Sequence, residues 1–136
     1  HPRWVAPESI AYDTPRNRLY VSDDVSGAVF LVSFAARTLR EIAVLPRPED
    51  MTVLPDGTLL VTDTRAGALF YIYTDDGIHV YPDDGRIEKI AQFKRPYRDL
   101  QGIAYDGERI FVISSDGFGS SSFIPSFLWA VPGVSG

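Results

Sequence analysis

The apolar positions of this chain fall in short runs rather than a few long ones. The first are Ile10-Ala11-Tyr12, Leu19-Tyr20-Val21 and Ala28-Val29-Phe30-Leu31-Val32, with polar or turn-forming residues between them. These runs are rich in β-branched and aromatic residues, which suit a pleated, half-buried surface, so each predicts a strand. Five Asp-Gly dipeptides, among them Asp56-Gly57 and Asp106-Gly107, supply hairpin turn chemistry. Ten prolines and eleven glycines spread along the chain leave no room for a long amphipathic helix, and Ala35 to Glu41 is the one weak helical candidate.

The runs repeat. Pro7-Glu8-Ser9-Ile10-Ala11-Tyr12 returns as Pro48-Glu49-Asp50-Met51-Thr52-Val53, an offset of 41, and again as Leu100-Gln101-Gly102-Ile103-Ala104-Tyr105. Second runs follow in register: Leu19-Tyr20-Val21-Ser22-Asp23, Leu59-Leu60-Val61-Thr62-Asp63 and Ile110-Phe111-Val112-Ile113-Ser114. Third runs follow these, Gly27 to Val32, Gly67 to Ile72 and, more loosely, Phe127 to Val131, with fourth runs at Arg40 to Leu45 and Arg86 to Ala91. Four antiparallel strands recurring roughly every 40–50 residues are the signature of propeller blades, because the strands of a β-sandwich need not resemble one another. The expected fold class is therefore all-β: three four-stranded antiparallel units forming half of a six-bladed β-propeller, with a repetitive β-sandwich as the alternative. Residues 1–136 read as one half-propeller domain, with blades at 7–45, 48–93 and 100–132 and residues 1–6 as a closing strand.

A closed propeller takes at least about four blades, so three units call for completion. The third unit stops after its third run, whereas Trp4-Val5-Ala6 is a short run belonging to no unit. The economical expectation is a head-to-tail homodimer in which Arg3 to Ala6 of one chain supplies the missing fourth strand of the other's third unit. The competing expectation is a fragment whose remaining blades sit on another chain or were removed. Two insertions, Asp75 to Gly85 and Gly117 to Phe123, read as long blade loops and as the first places to expect a small-molecule or protein ligand.

Composition narrows the partners. With 136 residues the chain has the length of one ordinary domain. Its 13 Lys and Arg are scattered and outnumbered by 18 Asp and Glu, for a net charge of −5, which argues against nucleic acid. No apolar run approaches the length of a membrane span, so no membrane partner is expected. Cysteine is absent, which removes disulfides, thiolate metal sites and a Cys nucleophile from consideration. The sequence starts at His1 rather than Met, which points either to removal of a targeting segment or to a piece cut from something longer, and secretion is the expected localisation. The only Asn, Asn17, is followed by Arg18 and Leu19 and forms no glycosylation acceptor.

The opening Pro7-Glu8-Ser9, the spacing through Tyr12-Asp13 to Arg18-Leu19-Tyr20-Val21, and Gly102-Ile103-Ala104-Tyr105-Asp106-Gly107 together resemble the SMP-30/gluconolactonase and NHL-like group of six-bladed propellers. The Pro7-Glu8 opening with Ile10 to Asp13, and the Gly119-Ser120-Ser121-Ser122-Phe123 loop, are more distantly similar to fungal secreted propellers of the Mala s 1 type. The first resemblance implies a divalent metal at one mouth of the central channel, held by a Glu from an innermost strand and by Asn and Asp side chains of later blades. Glu8 matches that Glu; Gln101 falls where many blades of the group carry a ligating Asn, and is one methylene longer.

Independently of any family, Glu8, Glu49 and Gln101 occupy one position in three successive units, at the entrance of the innermost strand. Repetition places three oxygen donors around one axis, a chemically plausible site for Ca²⁺ or another hard cation, which takes about six to eight oxygen ligands. The structural alternative is that these groups accept backbone N–H bonds between blades and fix their spacing. Asp23, Asp63 and Ser114 form a second aligned set, expected to make Asx turns before the third strands. The same turn role is expected of Asp50 and Asp116, with ligation of a channel-mouth cation as the alternative, and Asp116 is the candidate catalytic base. His1 and His79 meet the requirement of a copper brace in number alone. No Gly-x-Ser-x-Gly elbow occurs. Phe118, Phe123, Phe127 and Trp129 read as core and rim packing, or as the floor of an apolar ligand site. Two functions stand side by side: a noncatalytic ligand- or protein-binding propeller module, and a divalent-metal-dependent hydrolase of the lactonase or esterase type.

Overall fold

The computed structural model describes residues 1–74, 87–94, 99–115 and 127–131, with residues 115 and 127–131 described by their backbone. Each repeat folds into its own antiparallel sheet, in which every strand pairs with the next one in sequence. The first sheet has the order β1 (Pro7–Asp13), β2 (Arg18–Asp23), β3 (Ala28–Ser33), β4 (Thr38–Val44). The second runs β5 (Pro48–Val53), β6 (Leu59–Asp63), β7 (Ala68–Ile72), β8 (Ile87–Gln92). The third contains β9 (Asp99–Tyr105), β10 (Ile110–Ser115) and β11 (Phe127–Val131).

The fold is all-β, and no helix occurs among the described residues. The helical candidate at Ala35 to Glu41 is overturned: Phe34 to Arg37 turn the β3–β4 hairpin, and Thr38 to Glu41 pair with β3. The reason is local. Ser33 Oγ accepts the Ala36 N–H at 3.2 Å, and Arg37 takes a left-handed φ of 54°, which breaks any helical run at its start.

The sheets stack face to face with their first strands adjacent, β1 beside β5 and β5 beside β9. Between the first two sheets lies a core of Tyr20, Val29 and Leu45 against Met51, Leu59 and Val61. Between the second and third lies another, Leu54, Leu60 and Leu69 against Leu100, Ile110 and Val112. β6 feeds both cores with alternate side chains, and all five of its residues are buried. A strand covered on both faces reads as an unbroken apolar run, which explains why Leu59-Leu60-Val61 shows no alternation.

Residues 1–6 run along the first sheet. Val5 and Ala6 donate to Asp23 Oδ2, Ser26 Oγ donates to Arg3 O at 2.7 Å, and Arg3 pairs with Glu41 at 3.3 Å. The rings of His1 and Trp4 pack on Phe30 with centroids at 5.0 and 5.6 Å. The loops Asp75 to Gly85 and Gly117 to Phe123, the segment Pro132 to Gly136, and with them His79 and Asp116, lie outside the described residues.

Candidate functional site

The strand pairings place Glu8, Glu49 and Gln101 at one structural position, and that position is a β-bulge. In the first sheet Pro7 faces Asp23 and Ser9 faces Ser22, leaving Glu8 as the extra residue. In the second, Pro48 faces Asp63 and Asp50 faces Thr62, leaving Glu49. In the third, Leu100 faces Ser114 and Gly102 faces Ile113, leaving Gln101. A bulge bends the strand and re-aims the extra side chain, so the repeated register delivers three polar side chains to equivalent places on three adjacent inner strands.

Their surroundings differ. The Glu49 carboxyl is pushed above its ordinary value, first by burial and then by the charges of Glu8, Asp24 and Asp99, with Arg47 acting in the opposite direction. Glu8 is exposed. Gln101 Nε2 donates to Asp99 Oδ1 at 2.7 Å, so its amide is turned to a neighbour on its own strand. Arg47 Nε donates to Asp24 Oδ1 at 2.7 Å, an ion pair linking the turn after β2 to the segment that leads into β5. Glu8, Asp24 and Asp99 are thus the negative charges acting on Glu49, with Arg47 paired to Asp24. Among the described residues, no group of three or more His, Cys, Asp or Glu is placed to hold a metal ion.

Inter-blade bonding by an acid does occur, but one residue further along than Glu49. Asp50 Oδ2 accepts the Ile103 N–H at 3.0 Å, joining β5 to β9, while Thr62 Oγ1 receives the Asp50 N–H at 3.2 Å. The equivalent pair in the first sheet is Ser9 with Ser22, whose hydroxyls stand 2.5 Å apart.

The second aligned set anchors the backbone. Asp23 is fully buried, and its Oδ2 accepts the N–H groups of Val5 and Ala6 at 2.6 and 2.7 Å. Its Oδ1 accepts those of Val25 and Ser26 at 3.1 and 2.9 Å, an Asx turn. Burial alone would raise this carboxyl, but the backbone bonds from Ser26, Val5 and Ala6 and the Ser26 hydroxyl outweigh it and hold it below the ordinary value. Asp63 repeats the design, accepting Arg47 N–H through Oδ2 and Ala66 N–H through Oδ1, both at 2.7 Å. Ser114 is also buried at this position. The turn after each Asp closes on a glycine at positive φ, Gly27 at 78° and Gly67 at 62°. A Cβ on Gly27 would lie 1.9 Å from Leu45 O, so no other residue fits there without displacing the backbone.

Sequence reasoning placed Glu8, Glu49 and Gln101 in register but missed Asp24 and Asp99. The available signal was position: Asp99 stands two residues before Gln101 as Arg47 stands two before Glu49, and Asp24 follows the anchoring Asp23.

No family model matches this chain, and no curated protein matches it in sequence. Solved structures do match. A luciferin-regenerating enzyme is 17% identical with a TM-score of 0.65, over 97% of this chain and 47% of that one. Hydrazine synthase of Kuenenia stuttgartiensis is 21% identical with a TM-score of 0.63, over 93% of this chain and 34% of that one. The PQQ-bound aldose sugar dehydrogenase of Streptomyces coelicolor is 14% identical with a TM-score of 0.64, over 91% of this chain and 42% of that one. All three are β-propeller proteins. This chain carries the β-propeller fold. Its three sheets are propeller blades, and the chain spans less than half the length of each of these propellers.

Proposed function

We propose that this chain is a noncatalytic ligand- or protein-binding propeller module, working in a ring completed by blades beyond these three, with its binding surface at the mouth formed by Glu8, Glu49, Asp99 and Gln101. The observation that carries this reading is what the aligned side chains already do. Asp23 and Asp63 each saturate backbone N–H groups, Asp50 ties β5 to β9, and Gln101 is bonded to Asp99. Buried carboxylates committed to the backbone are scaffold, and the side chains left at the rim are suited to recognising a ligand's positive charge or N–H donors.

The second reading, a divalent-metal-dependent lactonase or esterase-type hydrolase, is favoured by the negative charges of Glu8, Asp24 and Asp99 acting on Glu49, which a bound cation would relieve. The matched propellers also bear enzyme names. The donor set is oxygen only, which suits a hard cation such as Ca²⁺. The described carboxylates do not by themselves form a cluster placed for a metal, so a cation at this mouth would draw on donors from the completing blades. Asp116, the proposed base of that reading, lies outside the described residues.

Metal content after purification and thermal melting with and without chelator separate the two. On the binding reading, no divalent metal is retained and the melting temperature does not change on chelation. Retained Ca²⁺, a chelator-sensitive melt and loss of both in Glu8→Gln would replace it with the hydrolase reading.

A further inference from the structure

Two of the five Asp-Gly dipeptides lie among the described residues, and the same pair of residues stands in two unlike turns. Asp56-Gly57 turns β5 into β6, and Asp106-Gly107 turns β9 into β10. Both glycines take a positive φ, 91° and 102°. An Asp-Gly pair is a place where a chain can react with itself, because glycine, with no Cβ, leaves its own nitrogen open to the preceding carboxyl. Two things then govern the reaction: the hydrogen bond that nitrogen already makes, and the room around it.

At Asp56 both are unfavourable. Gly57 is buried, its N–H donates to Leu54 O at 2.9 Å, and its carbonyl accepts the Thr74 hydroxyl at 2.8 Å. Arg16 of blade 1 reaches across to Pro55 O and lies against the glycine, where a Cβ would stand 3.0 Å from the Arg16 Nε. At Asp106 both are favourable. Asp106 and Gly107 are exposed, the Gly107 N–H makes no hydrogen bond among the described residues, and a Cβ on Gly107 would meet nothing within 4 Å. The Gly107 carbonyl accepts the Tyr105 hydroxyl at 2.8 Å, which leaves the nitrogen untouched. Restraint falls on the carboxylate instead. Its Oδ1 accepts the Glu108 and Arg109 N–H groups at 2.9 and 2.7 Å, and its Oδ2 accepts Arg109 Nε–H at 3.0 Å. These bonds favour the charged carboxylate and so slow the loss of its oxygen, but they do not touch the nucleophile.

We propose that Asp106 is a site of isoaspartate formation, and that the folded chain protects the same dipeptide at Asp56. The Gly107 nitrogen bonds to Cγ of the protonated Asp106 carboxyl, the Cγ–OH bond breaks, and the hydroxyl leaves with the amide proton as water, closing a cyclic imide. Water then adds back. Adding at the main-chain carbonyl of Asp106, it breaks the bond from that carbonyl to nitrogen and leaves isoaspartate; adding at Cγ, it restores Asp. Mass is unchanged, and water is the only other reactant. In isoaspartate the main chain runs through Cβ and Cγ, one carbon longer, and the former main-chain carbonyl becomes a free carboxylate. The Oδ1 bonds to the Glu108 and Arg109 N–H groups are then lost, in the turn that leads into fully buried Ile110. The modification loosens the β9–β10 hairpin and creates the kind of carboxylate that carboxyl-methylating repair enzymes take as substrate.

Prolonged incubation of the folded 136-residue chain near neutral pH tests this, followed by tryptic digestion and mass spectrometry that separates aspartyl from isoaspartyl peptides. The two sites fall in separate peptides, ending at Arg65 and Arg109. Isoaspartate should accumulate roughly tenfold faster at Asp106 than at Asp56, since attack at Asp56 first costs a backbone hydrogen bond. In guanidinium chloride the two rates should converge, because neither dipeptide is then held by a fold. Equal rates in the folded chain, or a faster reaction at Asp56, overturn the proposal. A difference that persists undiminished in guanidinium chloride overturns it as well, since the cause would then lie in the flanking residues and not in the turns.

Discussion

Asp23 and Glu49 are both carboxylates fixed by the repeat, and they behave in opposite ways. Asp23 is buried and takes four backbone N–H bonds, and its carboxyl is held below the ordinary range. Glu49 sits half-buried on a bulge facing Glu8 and Asp99, and its carboxyl is pushed up. The contrast teaches that repeat register decides where a side chain stands, while the donors and charges around it decide its role. Burial opposes ionisation in both places; only at Asp23 do enough aligned N–H groups reverse it.

The strongest way to break this contrast is to spoil the turn that aims those N–H groups. Gly27→Ala forces a Cβ against Leu45 O at a left-handed φ, and should cost roughly 3–5 kcal/mol in urea unfolding, enough to threaten a domain of ordinary stability. Next comes Asp23→Asn, which keeps one acceptor oxygen and turns an amide N–H₂ towards donors. A loss of about 2–3 kcal/mol is expected, with the N-terminal segment released from blade 1 and faster hydrogen exchange at Val5 and Ala6.

Acid unfolding sharpens the comparison by sign. A carboxyl held low in the folded state binds fewer protons there than in the unfolded chain. Asp23 therefore contributes stability above its ordinary value that is lost as pH falls through that value and on towards the folded one. Glu49, held high, binds more protons when folded, so its contribution is favourable at low pH and is lost as pH rises from the ordinary Glu value through the raised one. Stability profiles of Asp23→Asn and Glu49→Gln should accordingly differ from the unaltered protein with opposite slopes. The smallest effect is Glu49→Gln at neutral pH, a gain below about 1 kcal/mol, because repulsion at a partly exposed mouth is screened. A loss of stability in that variant would show that Glu49 holds the fold together as Asp23 does.

Much of this architecture was legible in the chain. Short apolar runs rich in β-branched and aromatic residues, with turn residues between them, mark strands because such side chains suit a pleated, half-buried surface. The aligned Asp23 and Asp63 at the ends of the second strands foretold the turns, since an Asx turn is a local structure made by neighbours in sequence. The aligned trio of Glu8, Glu49 and Gln101 was legible as a register for the same reason. Ala35 to Glu41 misled because helix propensity is a weak local preference, and pairing with β3 overrides it.

The sequence by itself determined the strands, the repeat and the all-β class, all of which follow from local preferences and short-range periodicity. Tertiary structure alone decided that Glu8, Glu49 and Gln101 are bulge residues, that Asp50 rather than Glu49 bonds across blades, and that the charges of Asp24 and Asp99 act on Glu49. It also decided that Ile10 and Met51, alike in the repeat, differ twelvefold or more in exposure, at 65% and 5%. Such contrasts cannot be local. They depend on which surface another blade covers, and burial is a property of the stacked sheets rather than of any one strand.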